Sequence, residues 1–151
     1  MNRYEFITNT SEQTVEFAER LARFLEPGDL LALEGDLGAG KTTFTKGLAK
    51  GLEIRKVVNS PTFTIIKEYH GRLPLYHMDV YRVGDTFEDL GFDEYFEGEG
   101  VTVVEWAHLI ESQLPEEKLT IFLYNESSEK RKIVLIPGGN RYEQLCKEIF
   151  Q

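Results

Sequence analysis

Eight residues constrain this chain more than any others: Gly35, Asp36, Leu37, Gly38, Ala39, Gly40, Lys41 and Thr42, in that order. They follow the apolar run Leu30 to Leu33 and open a stretch, Lys41 to Leu52, in which Phe44, Leu48 and Leu52 recur at four-residue spacing. A short continuous apolar run fits a strand buried on both faces. Four-residue spacing fits a helix, although Gly47 and Gly51 weaken it. Glycines between such a strand and such a helix let successive backbone N–H groups curl inward and cradle phosphate oxygens. The helix adds its positive N-terminal end to the same anion. Lys41 is placed to reach the β- and γ-phosphates, and the Thr42 hydroxyl to ligate Mg²⁺. A chance match in a chain of this length is on the order of 0.5% from average residue usage. A plain strand-to-helix turn needs neither three glycines nor Lys-Thr at the helix start.

The rest of the chain supplies elements to frame that loop. Tyr4 to Thr8 reads as a short strand. Thr10 with Gln13 fits a capping box, and Val15, Ala18, Leu21, Ala22 and Leu25 follow at helical spacing up to Pro27-Gly28. Strands are expected over Thr62 to Tyr69 and Leu73 to Asp79, turning at His70-Gly71-Arg72, with one or two helical turns over Thr86 to Phe96. Val101 to Val104, Leu119 to Tyr124 and Ile133 to Ile136 are further strands, the last two joined by a polar turn. Tyr142, Leu145, Cys146 and Ile149 mark a final helix. Helices alternating with both buried and hairpin-type strands define an α/β fold, and 151 residues fit a single domain over 1–151.

Magnesium needs more oxygen ligands, and water activation needs a carboxylate. Asp79 and Glu105 each close a predicted strand, and ligands of open α/β sheets bind at the carboxyl ends of strands. Either acid also has a plainer reading as a surface residue at a strand end. Ser60-Pro61-Thr62-Phe63-Thr64 offers hydroxyls near a γ-phosphate, and Arg82 offers a cation to the transferring phosphoryl group or merely a surface salt bridge. His77 and Tyr81 read more simply as packing residues than as chemical ones, and Trp106 equally well as core. Cys146 falls on an apolar stripe and reads as a small buried hydrophobe. His70 and His108 show no partner signal.

Charge narrows the function classes. The net charge is -9, and all of it lies in residues 76–151, because residues 1–75 balance ten basic against ten acidic side chains. From Asp85 to Glu117 there are 11 acidic residues and no Lys or Arg. Such a face repels a phosphate backbone, so direct tight binding to nucleic acid is disfavoured; it is a solvated surface or a docking face for a basic protein. One cysteine excludes an internal disulfide framework and a Cys-rich zinc site. No run approaches the roughly 18–20 apolar residues of a membrane span, and Met-Asn-Arg-Tyr-Glu-Phe is no export segment, so a cytoplasmic location is expected.

Four motifs occur in order: Gly35 to Thr43, then Ser60-Pro-Thr-Phe-Thr64, then His77-Met-Asp-Val-Tyr-Arg82, then Val104-Glu-Trp106. With them the chain resembles, over nearly its whole length, the TsaE (YjeE) family of bacterial ATPases of tRNA threonylcarbamoyladenosine biosynthesis. The resemblance implies a P-loop NTPase domain with a mixed central sheet and flanking helices. It implies Mg²⁺-dependent ATP hydrolysis in support of the modification of adenosine 37 in tRNAs reading codons that begin with A. It also implies TsaD-like and TsaB-like partners, through which alone the chain would meet tRNA. Position by position, it makes Lys41 the phosphate lysine, Thr42 a Mg²⁺ ligand, and Asp79 and Glu105 the acids of metal and hydrolysis. Asp36, Leu37, Gly38, Ala39, Gly40 and Thr43 complete the nucleotide cradle, and Trp106 lies close to the nucleotide. Ser11 borders the nucleoside, and Arg131 the base or ribose.

The complete loop with few accompanying cations suggests weak intrinsic turnover that partners stimulate. A small-molecule phosphotransferase is the main rival, with Asp85 to Glu99 as its only visible lid. A GTPase switch lacks an Asn-Lys-x-Asp segment, and a non-catalytic scaffold would not need intact Lys41, Thr42, Asp79 and Glu105.

Overall fold

A computed structural model describes residues 2–35, 38–59, 66–81 and 92–150. Within them the elements run β1 (Tyr4–Thr8), α1 (Ser11–Ala22), β2 (Leu30–Glu34), α2 (Lys41–Gly51), β3 (Ile66–Tyr69), β4 (Leu75–Asp79), the one-turn helix α3 (Asp93–Phe96) and β5 (Val101–Glu105). A 3-10 helix (Ala107–Gln113), β6 (Lys118–Asn125), β7 (Arg131–Gly138) and α4 (Asn140–Ile149) follow. One seven-stranded sheet has the order β1-β7-β6-β2-β5-β4-β3. The central strands β6, β2, β5 and β4 are parallel neighbours, and antiparallel pairs close both edges. This is the mixed α/β sheet flanked by helices that the sequence suggests.

β2 is buried along its whole length because it sits mid-sheet with a layer on each face. Leu31 and Leu33 point into a core shared with α1, α2 and α4, whereas Leu30 and Ala32 point into a second core with Met78, Val104 and Ile110. The alternation follows from the two-residue side-chain period of a strand. α1 starts as its capping signal requires: the Thr10 side chain accepts from Gln13 N–H at 3.1 Å, while the Gln13 side chain accepts from Asn9 N–H at 2.7 Å. It ends at Ala22, short of Pro27, where the backbone tightens into i→i−3 bonds from Arg23 to Leu25; Leu25 stays buried outside the helix. Cys146 is buried on α4, and burial pushes its thiol up to about 12.

Gly47 and Gly51, which weaken α2 on propensity, explain how it packs. A methyl group at Gly47 would lie 2.5 Å from the Val15 carbonyl oxygen and 2.7 Å from Ala18 Cβ. One at Gly51 would lie 2.5 Å from Ala22 Cβ. Two glycines one turn apart on α2 therefore face two alanines one turn apart on α1, and the helices approach to backbone contact. Gly47→Ala is expected to lower stability by about 1–3 kcal/mol in urea unfolding, because a backbone carbonyl cannot rotate away and the overlap outweighs alanine's better helix propensity. An unchanged or raised midpoint would show that the helices separate at little cost.

Candidate functional site

The glycine loop leaves β2 at its carboxyl end and enters α2 at Lys41. Gly35 passes so close to β6 that a Cβ there would sit 2.7 Å from the Leu123 carbonyl oxygen. Gly40 takes φ 97°, a left-handed value that glycine adopts without strain, as it turns the chain into α2. The first turn of α2 carries no acidic residue, so its positive end is not neutralised by its own side chains.

The acids arrive from neighbouring strands. β4 and β5 are parallel with Asp79 in register with Glu105, so both carboxylates emerge at one edge, beside the loop. Gly38, Gly40, Lys41, Thr42, Asp79 and Glu105 line a single cavity of about 310 Å³, together with Thr43, Trp106 and Arg131. Glu105 is only 4% exposed, and His77 Nε2–H donates to its carboxylate at 2.5 Å from a fully buried ring. His77 Nδ1 has no partner among the described residues. His77 thus fixes the orientation of Glu105 from beneath, the packing role the sequence favours for it. The Asp79 carboxylate accepts from Tyr81 N–H at 3.0 Å.

Lys41 is 6% exposed. Its ammonium donates to the Gly35 carbonyl at 2.6 Å and lies 3.5 Å from the centre of the Trp106 ring. Trp106 reaches that position because its backbone turns left-handed, φ 62°, immediately after β5, while its N–H still bonds Leu33 O at 3.2 Å. Arg131, the first residue of β7, clamps the loop from the other side. It donates to Ala39 O at 3.0 Å, to Gly38 O at 3.3 Å and to Ser127 O at 3.0 Å. Ser11 stands in a narrow adjoining slot with Gly40, Thr43, Glu129 and Arg131, where its Oγ–H donates to the Glu129 carboxylate at 3.0 Å.

Lys41, Thr42, Thr43, Asp79, Glu105, Trp106 and Arg131 are thereby brought together with Gly38 and Gly40, and Ser11 borders them across Thr43. Ala39 is buried and joins the site through its carbonyl. Asp36, Leu37, Ser60 to Thr64 and Arg82 lie outside the described residues. Two residues escape the sequence reading. Glu34, the last residue of β2, accepts from His108 N–H at 3.0 Å and pairs with His108 Nδ1 at 3.0 Å. An acid directly before the glycine loop was the available signal for Glu34; nothing in sequence ties it to a histidine 74 residues away.

The site's chemistry is all-oxygen on the acidic side and cationic on the loop side. No group of three or more His, Cys, Asp or Glu side chains among the described residues could hold a metal by itself. One hydroxyl and two carboxylates beside a phosphate cradle suit Mg²⁺, which keeps several waters and takes phosphate oxygens as ligands. A glycine loop between a buried parallel strand and a helix, faced by acids at the ends of the next two strands on one side, β5 and β4, makes this a P-loop NTPase fold.

The family model for the threonylcarbamoyl adenosine biosynthesis protein TsaE matches residues 8–133. The chain belongs to the TsaE family. It is 59% identical over 150 residues to the tRNA threonylcarbamoyladenosine biosynthesis protein TsaE of Bacillus subtilis, covering 99% of this chain and 95% of that one. The protein of the same description in Treponema pallidum is 44% identical over 131 residues, covering 85% and 97%. The crystal structure of YdiB from Bacillus subtilis superposes with a TM-score of 0.88 at 53% identity, covering 99% of this chain and 95% of that chain.

Proposed function

We propose that residues 1–151 form a single-domain, Mg²⁺-dependent ATPase that serves threonylcarbamoyl modification of adenosine 37 in tRNAs reading codons that begin with A. The support for ATP binding and hydrolysis is the meeting of Lys41, Thr42, Asp79 and Glu105 in one cavity at the carboxyl ends of β2, β4 and β5. Support for the pathway is membership of the TsaE family. Backbone N–H groups of the loop and the start of α2 bind the phosphates. Lys41 exchanges its contact with Gly35 O for the β- and γ-phosphates. Thr42, Asp79 and Glu105 would hold Mg²⁺, which neutralises phosphate charge when bound. Glu105, oriented by His77, accepts the proton of the attacking water. Trp106 shields the lysine from bulk water, and Ser11 and Arg131 border the nucleoside.

Turnover by the isolated chain is expected to be weak. Lys41 starts out bound to Gly35 O and to the Trp106 face, and all three Arg131 nitrogens bond backbone carbonyls. TsaD-like and TsaB-like proteins would order the site or supply a cation to the transition state. The acidic second half of the chain suits a protein that reaches tRNA only through such partners. Among the described residues no helix is long and apolar enough to cross a membrane, in keeping with a cytoplasmic role. The test is ATP hydrolysis by the chain alone and with the two partner proteins. Phosphate appearing in water, slowly alone and at least about tenfold faster in the complex, is expected. Turnover of roughly 1–100 per second unchanged by partners, or label passing to a metabolite, would overturn the reading.

A further inference from the structure

Outside the nucleotide cavity, a wider groove of about 710 Å³ opens on the other side of Trp106. One wall is β6, whose groove-facing residues include Thr120, Phe122 and Tyr124; the other is the 3-10 helix with His108 and Glu111. Phe122 and Tyr124 stack nearly parallel, centroids 6.1 Å apart and planes 8° apart, and Tyr124 is 45% exposed. This is an exposed aromatic wall, where a side chain gains by being covered. The floor is acidic: the Glu34 carboxylate lies there, held by His108, and Glu111 stands at the rim. Among the described residues that line the groove, the one lysine or arginine is Lys118, tucked in at 13% side-chain exposure, 3.6 Å from Glu111.

We infer that this groove docks a segment of a partner protein that lays an apolar or aromatic side chain on Phe122 and Tyr124 and points a lysine or arginine at Glu34 and Glu111. Charge selects that occupant. Residues 92–117, which include the helical wall, carry eight acidic residues and no Lys or Arg. A nucleic acid would be repelled by these carboxylates. A second copy of a chain with net charge -9 would present the same acidic rim to itself. A basic protein segment meets both the aromatic wall and the acidic floor.

The placement also couples docking to catalysis. Trp106 lines both cavities, and its ring lies over the Lys41 ammonium. A side chain seated in the groove shares a wall with the phosphate lysine and biases how firmly Trp106 holds it. This inference rests on the partner-dependent ATPase reading and adds the surface through which the partner acts.

The experiment measures binding of the full chain to the TsaD-like and TsaB-like proteins of the same cell, and ATP hydrolysis with and without them. Tyr124→Ala and Glu111→Lys are the groove variants; Glu16→Lys, an exposed site on α1, is the charge-matched control. The groove variants are expected to lose at least about tenfold in partner affinity and a matching share of the stimulation, with unaided hydrolysis unchanged and the control like wild type. Wild-type affinity in both groove variants, or an equal loss in Glu16→Lys, overturns the groove. Failure of the wild-type chain to bind either partner overturns the partner reading and the groove with it, a result distinct from a variant that binds normally.

Discussion

Lys41→Ala is expected to abolish productive ATP binding: nucleotide affinity falls at least about 100-fold, and hydrolysis, alone or with partners, drops to background. The magnitude follows from losing charge-assisted hydrogen bonds to phosphate, each worth about 1.5–3 kcal/mol, from a lysine that is itself largely buried. Among the contacts that the substitution removes are those to the Gly35 carbonyl and the Trp106 face, which then lose a cation. Titration with ATP and Mg²⁺, followed by the emission of Trp106, the only tryptophan, checks it in one experiment. Unchanged affinity and turnover would detach the glycine loop from the function.

Glu105→Gln separates binding from chemistry. ATP affinity in the presence of Mg²⁺ is expected to fall by no more than about tenfold, because Thr42 and Asp79 remain to hold the metal, while hydrolysis falls by about 10²–10⁴-fold, the usual scale for loss of a general base. Glutamine keeps the volume of the side chain and an oxygen for the His77 Nε2–H donor, so β4 and β5 remain tied together. Single-turnover ATP hydrolysis beside an equilibrium binding measurement distinguishes the outcomes. Wild-type turnover would strip Glu105 of its role and leave Asp79 as the acid to test.

Much of this architecture was legible in the chain. β1, β2, α2, β5 and α4 fall where apolar spacing and caps place them, because each signal is local: a strand repeats every two residues and a helix about every four. The 3-10 helix Ala107–Gln113 was not legible, since it begins from a left-handed tryptophan rather than a cap and its backbone leaves helical values at Ile110. The cost assigned to Gly47 and Gly51 was misjudged in sequence for a different reason. Propensity scores a residue against its own helix, whereas these two are there for the backbone of another.

The sequence by itself determined the glycine loop, its lysine and threonine, and the identity of the two strand-end acids, because short-range geometry dictates which residue types can cradle a phosphate. Only the tertiary structure decided that Asp79 and Glu105 stand side by side, that His77 steers one of them, that Glu34 holds His108, and that Trp106 covers Lys41. Those facts depend on strand order and register, which join residues tens of positions apart. Such pairings are set by the packing of the whole sheet, and no local spacing encodes them.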